Sequence, residues 1–250
     1  MPIRKVADSV LDGAKYALRG LPLVFRPGFR RFVMVPVLLN AVLFGAGFWV
    51  SGYYYSEFLA WLVPSWLDWL RWLLWPVFGL AFLVFTLFSF SLSANLFGCF
   101  FYGGLSRKVE SEILRIEPDS KAPPSPTGGL GGFFSELKRL GYFLSRATPL
   151  LLLFLIPGIN LIAPFLWLFF SAWFLGMEYM AYPLEEAGLD FAQQRRQLRP
   201  KRLNVAVFGG LVLMGLALPV FNLIVPPAAV IGATLYIHAL KSRSREVATA

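Results

Sequence analysis

Long apolar runs separated by short polar segments dominate the chain. Residues 32–55 and 72–102 each reach or exceed the roughly 20 apolar residues that cross a bilayer as a helix. The apolar period of the second run continues to residue 116, with charged residues between the apolar positions. We therefore expect two long spanning helices, 32–55 and 72–116, joined by a Trp-rich connection over residues 56–71.

Other segments alternate apolar and charged positions at helical spacing. Residues 1–25 place apolar side chains every three or four positions, with Arg, Lys and Asp on the other side. Residues 117–148 begin as a Pro-, Ser- and Gly-rich loop and continue with a basic amphipathic pattern. These patterns are typical of helices that lie in a membrane interface. The sequence predicts an interfacial helix over 1–25, a cytoplasmic loop and amphipathic helix over 117–148, and a basic tail over 238–250.

An internal repeat marks the C-terminal half. Residues 157–164 (PGINLIAP) recur as 219–226 (PVFNLIVP), inside the apolar stretches 149–177 and 205–237. At about 30 residues, each stretch is long for one span and short for two. The basic segments around both stretches share one side if each is a helical hairpin that enters the membrane and returns, as positive-inside topology expects. We predict two such re-entrant hairpins, with two proline-kinked ordinary spans as the alternative.

Asn160 and Asn222 occupy the same position in the two copies of the repeat. They are the candidate polar groups at the hairpin tips. An amide there either lines a translocation path or caps a broken helix end, and the sequence favours neither use.

Composition supports a membrane protein. The chain is 57% hydrophobic and only 15% charged, whereas soluble domains carry about 25% charged residues. We expect a single all-α membrane domain over residues 1–250.

The net charge of +9 lies in segments that flank apolar runs, which indicates membrane topology rather than nucleic-acid binding. One cysteine and one histidine build neither a metal site nor a disulfide framework, and no catalytic constellation is present. We predict no enzymatic activity, no cofactor and no metal.

A short basic turn, Arg26-Pro27-Gly28-Phe29-Arg30-Arg31, precedes the first spanning helix. Pro27-Gly28 forces a turn that frees backbone N–H groups near the helix start. Free N–H groups, the positive end of the helix and three guanidinium groups together favour an oxyanion. The alternative is that these arginines only anchor the helix to anionic lipid.

The chain resembles a known family, the CysZ sulfate transporters of the Gram-negative inner membrane. The matching stretches are the turn at 26–32, the long second helix through Glu110, and the segments Ile156–Pro164, Leu166–Tyr179 and Leu218–Thr234. The resemblance implies two long spanning helices, two partly penetrating hairpins, and sulfate uptake that supplies cysteine synthesis. It also implies a homo-oligomer, and antiparallel packing of protomers is described for the family.

The resemblance also implies site residues. The family's Gly-Leu-Arg-like sulfate motif maps onto Gly28, Phe29, Arg30 and Arg31, with Phe29 in place of the usual aliphatic residue. Arg26 is an accessory candidate. Glu110 matches a polar cluster near the end of the second helix, and we expect it to pair with Arg107 or Arg115 as a gate or a brace. Glu178, if buried, is a candidate proton carrier for coupled uptake.

The sequence therefore predicts a multi-pass inner-membrane protein that transports sulfate, with sulfite and related oxyanions as further candidates. Membrane lipid is the other expected partner. The alternative function is a non-transporting scaffold or regulatory subunit that binds anionic lipid through its basic interfacial helices.

Overall fold

The computed structural model describes residues 11–116, 130–218 and 221–249, and within these ranges all regular structure is helical. Short 3-10 turns lie between some of the helices. The α-helices of the described ranges are α1 (Asp12–Val24), α2 (Arg31–Leu62), α3 (Asp68–Glu112), α4 (Leu130–Leu153), α5 (Ala163–Glu186), α6 (Phe191–Leu198), α7 (Arg202–Leu216) and α8 (Val225–Thr249). The start of the predicted 1–25 helix, the loop at 117–129, Pro219 and the last residue of the tail lie outside the described residues.

Helices α2 and α3 together take up most of the predicted Trp-rich connection. Helix α2 continues to Leu62 because no glycine or proline interrupts it between Gly52 and Pro64. Helix α3 begins at Asp68, so only residues 63–67 join the two. The stretches Arg31–Leu62 and Ser65–Thr86 are long and apolar enough to cross a membrane, and almost none of their surface is buried. Exposed apolar surface on this scale is what a helix in lipid presents.

The two repeats form similar breaks. Residues 154–162 separate α4 from α5, and residues 217–224 separate α7 from α8, each with a 3-10 turn that contains the repeated asparagine. Pro164 and Pro226 lie in the first turn of the helix after each break, where a missing N–H costs no hydrogen bond. In each repeat the helices on the two sides of the break contact each other. The amphipathic segment before the first break belongs to α4 itself, which is continuous from Leu130 to Leu153.

The buried core lies where α1, α5, α7, α8 and the C-terminal part of α3 meet. Its fully buried side chains include Leu105 of α3, Leu184 of α5, Phe208 of α7 and Ile231 of α8. A 3.0 Å hydrogen bond between the buried hydroxyl groups of Ser106 and Thr234 crosses it. The core therefore fixes the end of α3 against the C-terminal helices, while α2 contacts mainly α3.

Helices α5 and α7 cross with their backbones in contact. A Cβ atom at Gly209 would lie 2.0 Å from the carbonyl oxygen of Ala172, and one at Gly176 would lie 2.1 Å from that of Val205. No side chain fits at either position, so glycine is what permits this crossing. Small residues are typical of helix interfaces in membranes for the same reason.

Replacing Gly209 by alanine should destabilise the fold by about 1–3 kcal/mol, because the added methyl group pushes α5 and α7 apart. The matched control is Gly210→Ala, whose Cβ would lie 3.7 Å from the nearest atom, the Ala172 Cβ. Thermal unfolding of the purified protein should show a lower midpoint for Gly209→Ala, and an unchanged or higher one for Gly210→Ala. Equal midpoints for the two variants would contradict the close crossing.

Candidate anion-binding turn and the charge network

The turn between α1 and α2 is built around one glycine and one buried ring. Gly28 has φ 93°, a conformation that glycine adopts without strain. The Phe29 side chain is buried, with 3% of its surface exposed, and its N–H donates to the Arg26 carbonyl oxygen at 3.1 Å. The buried ring therefore anchors an otherwise exposed turn. The Phe29 N–H is already used, so the backbone donors of a bound anion must come from its neighbours.

Those neighbouring amides are available. Among the described residues, the N–H groups of Gly28, Arg30 and Arg31 have no backbone acceptor. Arg30 is the residue that precedes α2 and Arg31 is its first residue. Their N–H groups lie at the positive end of the helix dipole, which favours an anion.

The three arginine side chains of the turn are exposed. Arg30 Nε donates to the Phe25 carbonyl oxygen at 2.7 Å, and the Arg31 guanidinium lies 5.0 Å from the centre of the Phe32 ring. Within the described ranges, Arg26, Arg30 and Arg31 form no ion pair with a carboxylate. No carboxylate of the described ranges is therefore paired with these three guanidinium groups.

Helix α3 adds a fourth cation that the sequence analysis did not assign to this site. Lys108 Nζ lies 5.6 Å from the centre of the Phe29 ring, and it would be 3.0 Å from a Cβ atom at Gly28. It also pairs with Glu112 at 3.0 Å, so one carboxylate stands beside a turn that itself contains no acid. The only sequence signal was the i, i+4 spacing of Lys108 and Glu112 on one helix face. Nothing in the sequence showed that this face would meet Gly28.

The predicted partner of Glu110 was wrong. The Glu110 carboxylate lies 2.7 Å from His238 Nε2 of α8, and Arg107 pairs with Glu186 of α5 at 3.6 Å. Arg115 is exposed, has φ 53° at the end of α3, and pairs with no described carboxylate. Arg107 faces α5 and Glu110 faces α8, so these charged residues of α3 pair with residues of other helices and not with each other. Sequence spacing shows only neighbours on the same helix.

Burial perturbs two groups near these pairs. It raises the pKa of the Glu186 carboxyl above its usual value; Arg107 opposes this, and the charges of Glu110 and Glu185 add to it. Burial lowers the pKa of the Lys241 ammonium group. The charge of Glu110 raises this pKa, and the charge of Arg245 lowers it further. The junction of α3, α5 and α8 thus brings several charged side chains together, some of them partly buried.

A second bridge joins α4 to α5. The guanidinium of Arg139, of which 8% is exposed, donates to Glu178 at 3.3 Å and makes a short hydrogen bond to Glu185. Gln194 Nε2 also donates to Glu185 at 3.5 Å. Glu178 is therefore a half-buried carboxylate held by a buried guanidinium.

Both repeat asparagines lie in the breaks between helices. Asn160 is exposed, its N–H donates to the Ile156 carbonyl oxygen at 3.0 Å, and its side chain makes no hydrogen bond with a described residue. Asn222 is half-buried, and its N–H donates to the Leu218 carbonyl oxygen at 3.1 Å. Capping by the side chain therefore does not explain Asn160. In the described part of the chain, no cluster of His, Cys, Asp and Glu could hold a metal ion.

The chain is similar to known transporters over most of its length. A family model described as sulfate transporter CysZ/etoposide-induced protein 2.4 matches residues 16–227. A protein named sulfate transporter CysZ from Pseudomonas fluorescens (strain Pf-5) is 44% identical over 91% of this chain and 93% of its own.

Two further relatives carry the same name. Those from Pseudomonas aeruginosa (strain LESB58) and Salmonella typhimurium (strain LT2) are each 37% identical over about nine tenths of both chains. The family is one of transporters, which confirms the prediction that the chain is not an enzyme. This membrane protein belongs to the sulfate transporter CysZ/etoposide-induced protein 2.4 family.

Proposed function

We propose that this protein takes up sulfate across the inner membrane and so supplies cysteine biosynthesis. The name of its relatives, sulfate transporter CysZ, supports the substrate. The observation that carries the proposal is the 26–31 turn, where three exposed arginines meet three N–H groups that have no backbone acceptor among the described residues. The turn itself contains no carboxylate. Sulfite and related oxyanions present the same acceptor oxygens and are further candidate substrates.

Sulfate chemistry fits this turn. At neutral pH sulfate is a dianion that accepts hydrogen bonds and donates none, so its site needs N–H donors and positive charge. Arg30 and Arg31 supply guanidinium donors, and their amides together with that of Gly28 supply backbone donors. Phe29 holds the turn in place, and Lys108 adds charge from α3. Arg26 is an accessory contact.

The path inward runs between α3 and the two hairpins. The Glu110–His238 and Arg107–Glu186 pairs join α3 to α8 and α5, so they would act as a gate or a brace on this path. Asn160, whose side chain forms no hydrogen bond with the described residues, is the candidate polar group at the first hairpin tip, and Asn222 is its counterpart. The backbone of both breaks must face protein or water, because lipid cannot satisfy it.

The hairpin proposal adds a topology. Two spanning helices and two re-entrant hairpins would give a multi-pass protein with the N-terminus and residues 178–204 on the cytoplasmic side, in agreement with their basic residues. In the membrane the protein would assemble as a homo-oligomer.

Uptake of labelled sulfate into liposomes that contain the purified protein tests the function. Arg30→Gln/Arg31→Gln should reduce the initial rate at least about tenfold, because two charge-assisted contacts are lost. The matched control is Lys15→Gln/Arg19→Gln, which removes two exposed cations from the adjacent helix α1.

An imposed pH gradient should accelerate wild-type uptake only if transport is proton-coupled. No uptake by folded wild type would favour a scaffold that binds anionic lipid, and equal rates in both variants would contradict the turn as the entry site.

Labelling of single cysteines introduced between 178 and 204 in a Cys99→Ala background tests the hairpins. In intact cells, a membrane-impermeant maleimide should leave these positions unmodified and should react after the inner membrane is opened. If protomers insert in both orientations, about half of the protein copies should be labelled at each of these positions. Cysteines placed before α1 should then be labelled in about half of the copies as well. Full labelling from outside at 178–204 with none near the N-terminus would contradict hairpins and favour two kinked ordinary spans.

A further inference from the structure

A groove of about 620 Å³ lies between α4, α5, α6 and the start of α7, away from the 26–31 turn. Four arginines line one part of it: Arg146 of α4, Arg195 of α6, Arg199, and Arg202 of α7. Leucine and phenylalanine side chains line the rest, and no carboxylate contributes to its wall. A cavity of about 300–1,000 Å³ is the usual size of a site for an organic ligand.

The arginines of this groove lie close together, and no carboxylate of the described ranges pairs with them. The guanidinium groups of Arg146 and Arg195 lie 5.5 Å and 5.2 Å from the centre of the same ring, that of Tyr142. Among the described residues, none of the four groove arginines forms an ion pair. Like charges held this close repel each other, and an anion between them would relieve the repulsion.

The groove changes from polar to apolar along two helices. On α4, Tyr142 and Arg146 are followed by Pro149, Leu150 and Leu153. The facing residues of α5 run in the same order, from Trp173, which donates to the Tyr142 hydroxyl at 3.3 Å, to Phe169 and then Leu166.

The apolar end opens onto more apolar surface. Around the break between α4 and α5, Leu155 is 77% exposed and Phe165 is 71% exposed. A ligand for this groove therefore needs an anionic end and a long apolar end that can leave the cavity.

We propose that the groove binds an anionic glycerophospholipid. The headgroup phosphate lies among the four arginines, and the acyl chains follow Leu150, Leu153 and Leu166 toward the exposed apolar surface. Free sulfate or phosphate would satisfy the arginines and leave the apolar wall empty. Basic pockets between membrane helices commonly hold lipids of this class, and four guanidinium groups match a headgroup with two phosphates.

Native mass spectrometry of the purified, delipidated full-length protein tests the lipid. Diphosphatidylglycerol is the probe, and phosphatidylcholine is the comparison lipid. Arg146→Gln/Arg195→Gln should weaken diphosphatidylglycerol binding about tenfold or more, because two cations near the headgroup are lost. The matched control, Lys138→Gln/Arg196→Gln, removes exposed cations from the same two helices outside the groove and should bind as wild type does.

The outcomes separate the possible occupants. Equal diphosphatidylglycerol binding by the two double variants, or equal binding of both lipids by wild type, would overturn the proposal. Displacement of the lipid from wild type by millimolar inorganic sulfate or phosphate would assign the groove to a free oxyanion and overturn it as well.

A comparison on wild type alone decides the matter if the groove variant does not fold. The deacylated headgroup should bind at least about tenfold more weakly than the intact lipid, because burial of even a few methylene groups stabilises the complex this much. Equal binding of the headgroup and the intact lipid would contradict an acyl site. Neither measurement depends on sulfate transport, so the lipid site and the proposed function can fail separately.

Discussion

Polar and charged side-chain pairs between helices link the helical core of this protein. A buried carboxylate or guanidinium is costly unless a partner compensates it, so the buried pair of Arg139 and Glu185 fixes the two helices that supply it, and partly exposed pairs add further links. Arg139 joins α4 to α5, Arg107 joins α3 to α5, and Glu110 joins α3 to α8. A fourth pair, between Arg243 and Asp12, joins α8 to α1 at 2.9 Å. Glycine contacts let helices approach each other, and these pairs select which polar faces meet.

The same constraint explains where positive charge is left over. The chain has 23 Lys and Arg against 14 Asp and Glu, and the pairs between helices use five of these acids. The arginines of the 26–31 turn and of the groove between α4, α5 and α6 are left without a carboxylate partner in the described ranges. The turn also has free amides and lacks an apolar wall, which suits a small dianion. The groove has an apolar wall, which suits a lipid. The excess of positive charge thus supports both the proposed sulfate site at the turn and the proposed lipid site in the groove.

Local sequence patterns predicted the elements better than the contacts between them. Apolar run length predicted α2 and α3, and the repeated Pro and Asn residues predicted the breaks at 154–162 and 217–224, because both signals act within a few turns of one helix. The end of the first spanning helix was placed too early, at residue 55, although nothing there breaks a helix and α2 continues to Leu62. The His238 partner of Glu110 and the approach of Lys108 to Gly28 could not be predicted. Both depend on packing between residues that are about 80 or more positions apart, which helical spacing alone does not describe.

The most direct test of the oxyanion turn is the equilibrium affinity of the purified protein for sulfate, in wild type and in Glu112→Gln. The Glu112 carboxylate pairs with Lys108 beside Gly28, so its removal frees a cation and takes away a negative charge near the turn. The account predicts that sulfate binds Glu112→Gln at least about threefold more tightly than wild type. Glu57→Gln, which neutralises an exposed carboxylate on α2, should bind as wild type does. Unchanged or weaker binding by Glu112→Gln would contradict a sulfate site formed by the turn and Lys108.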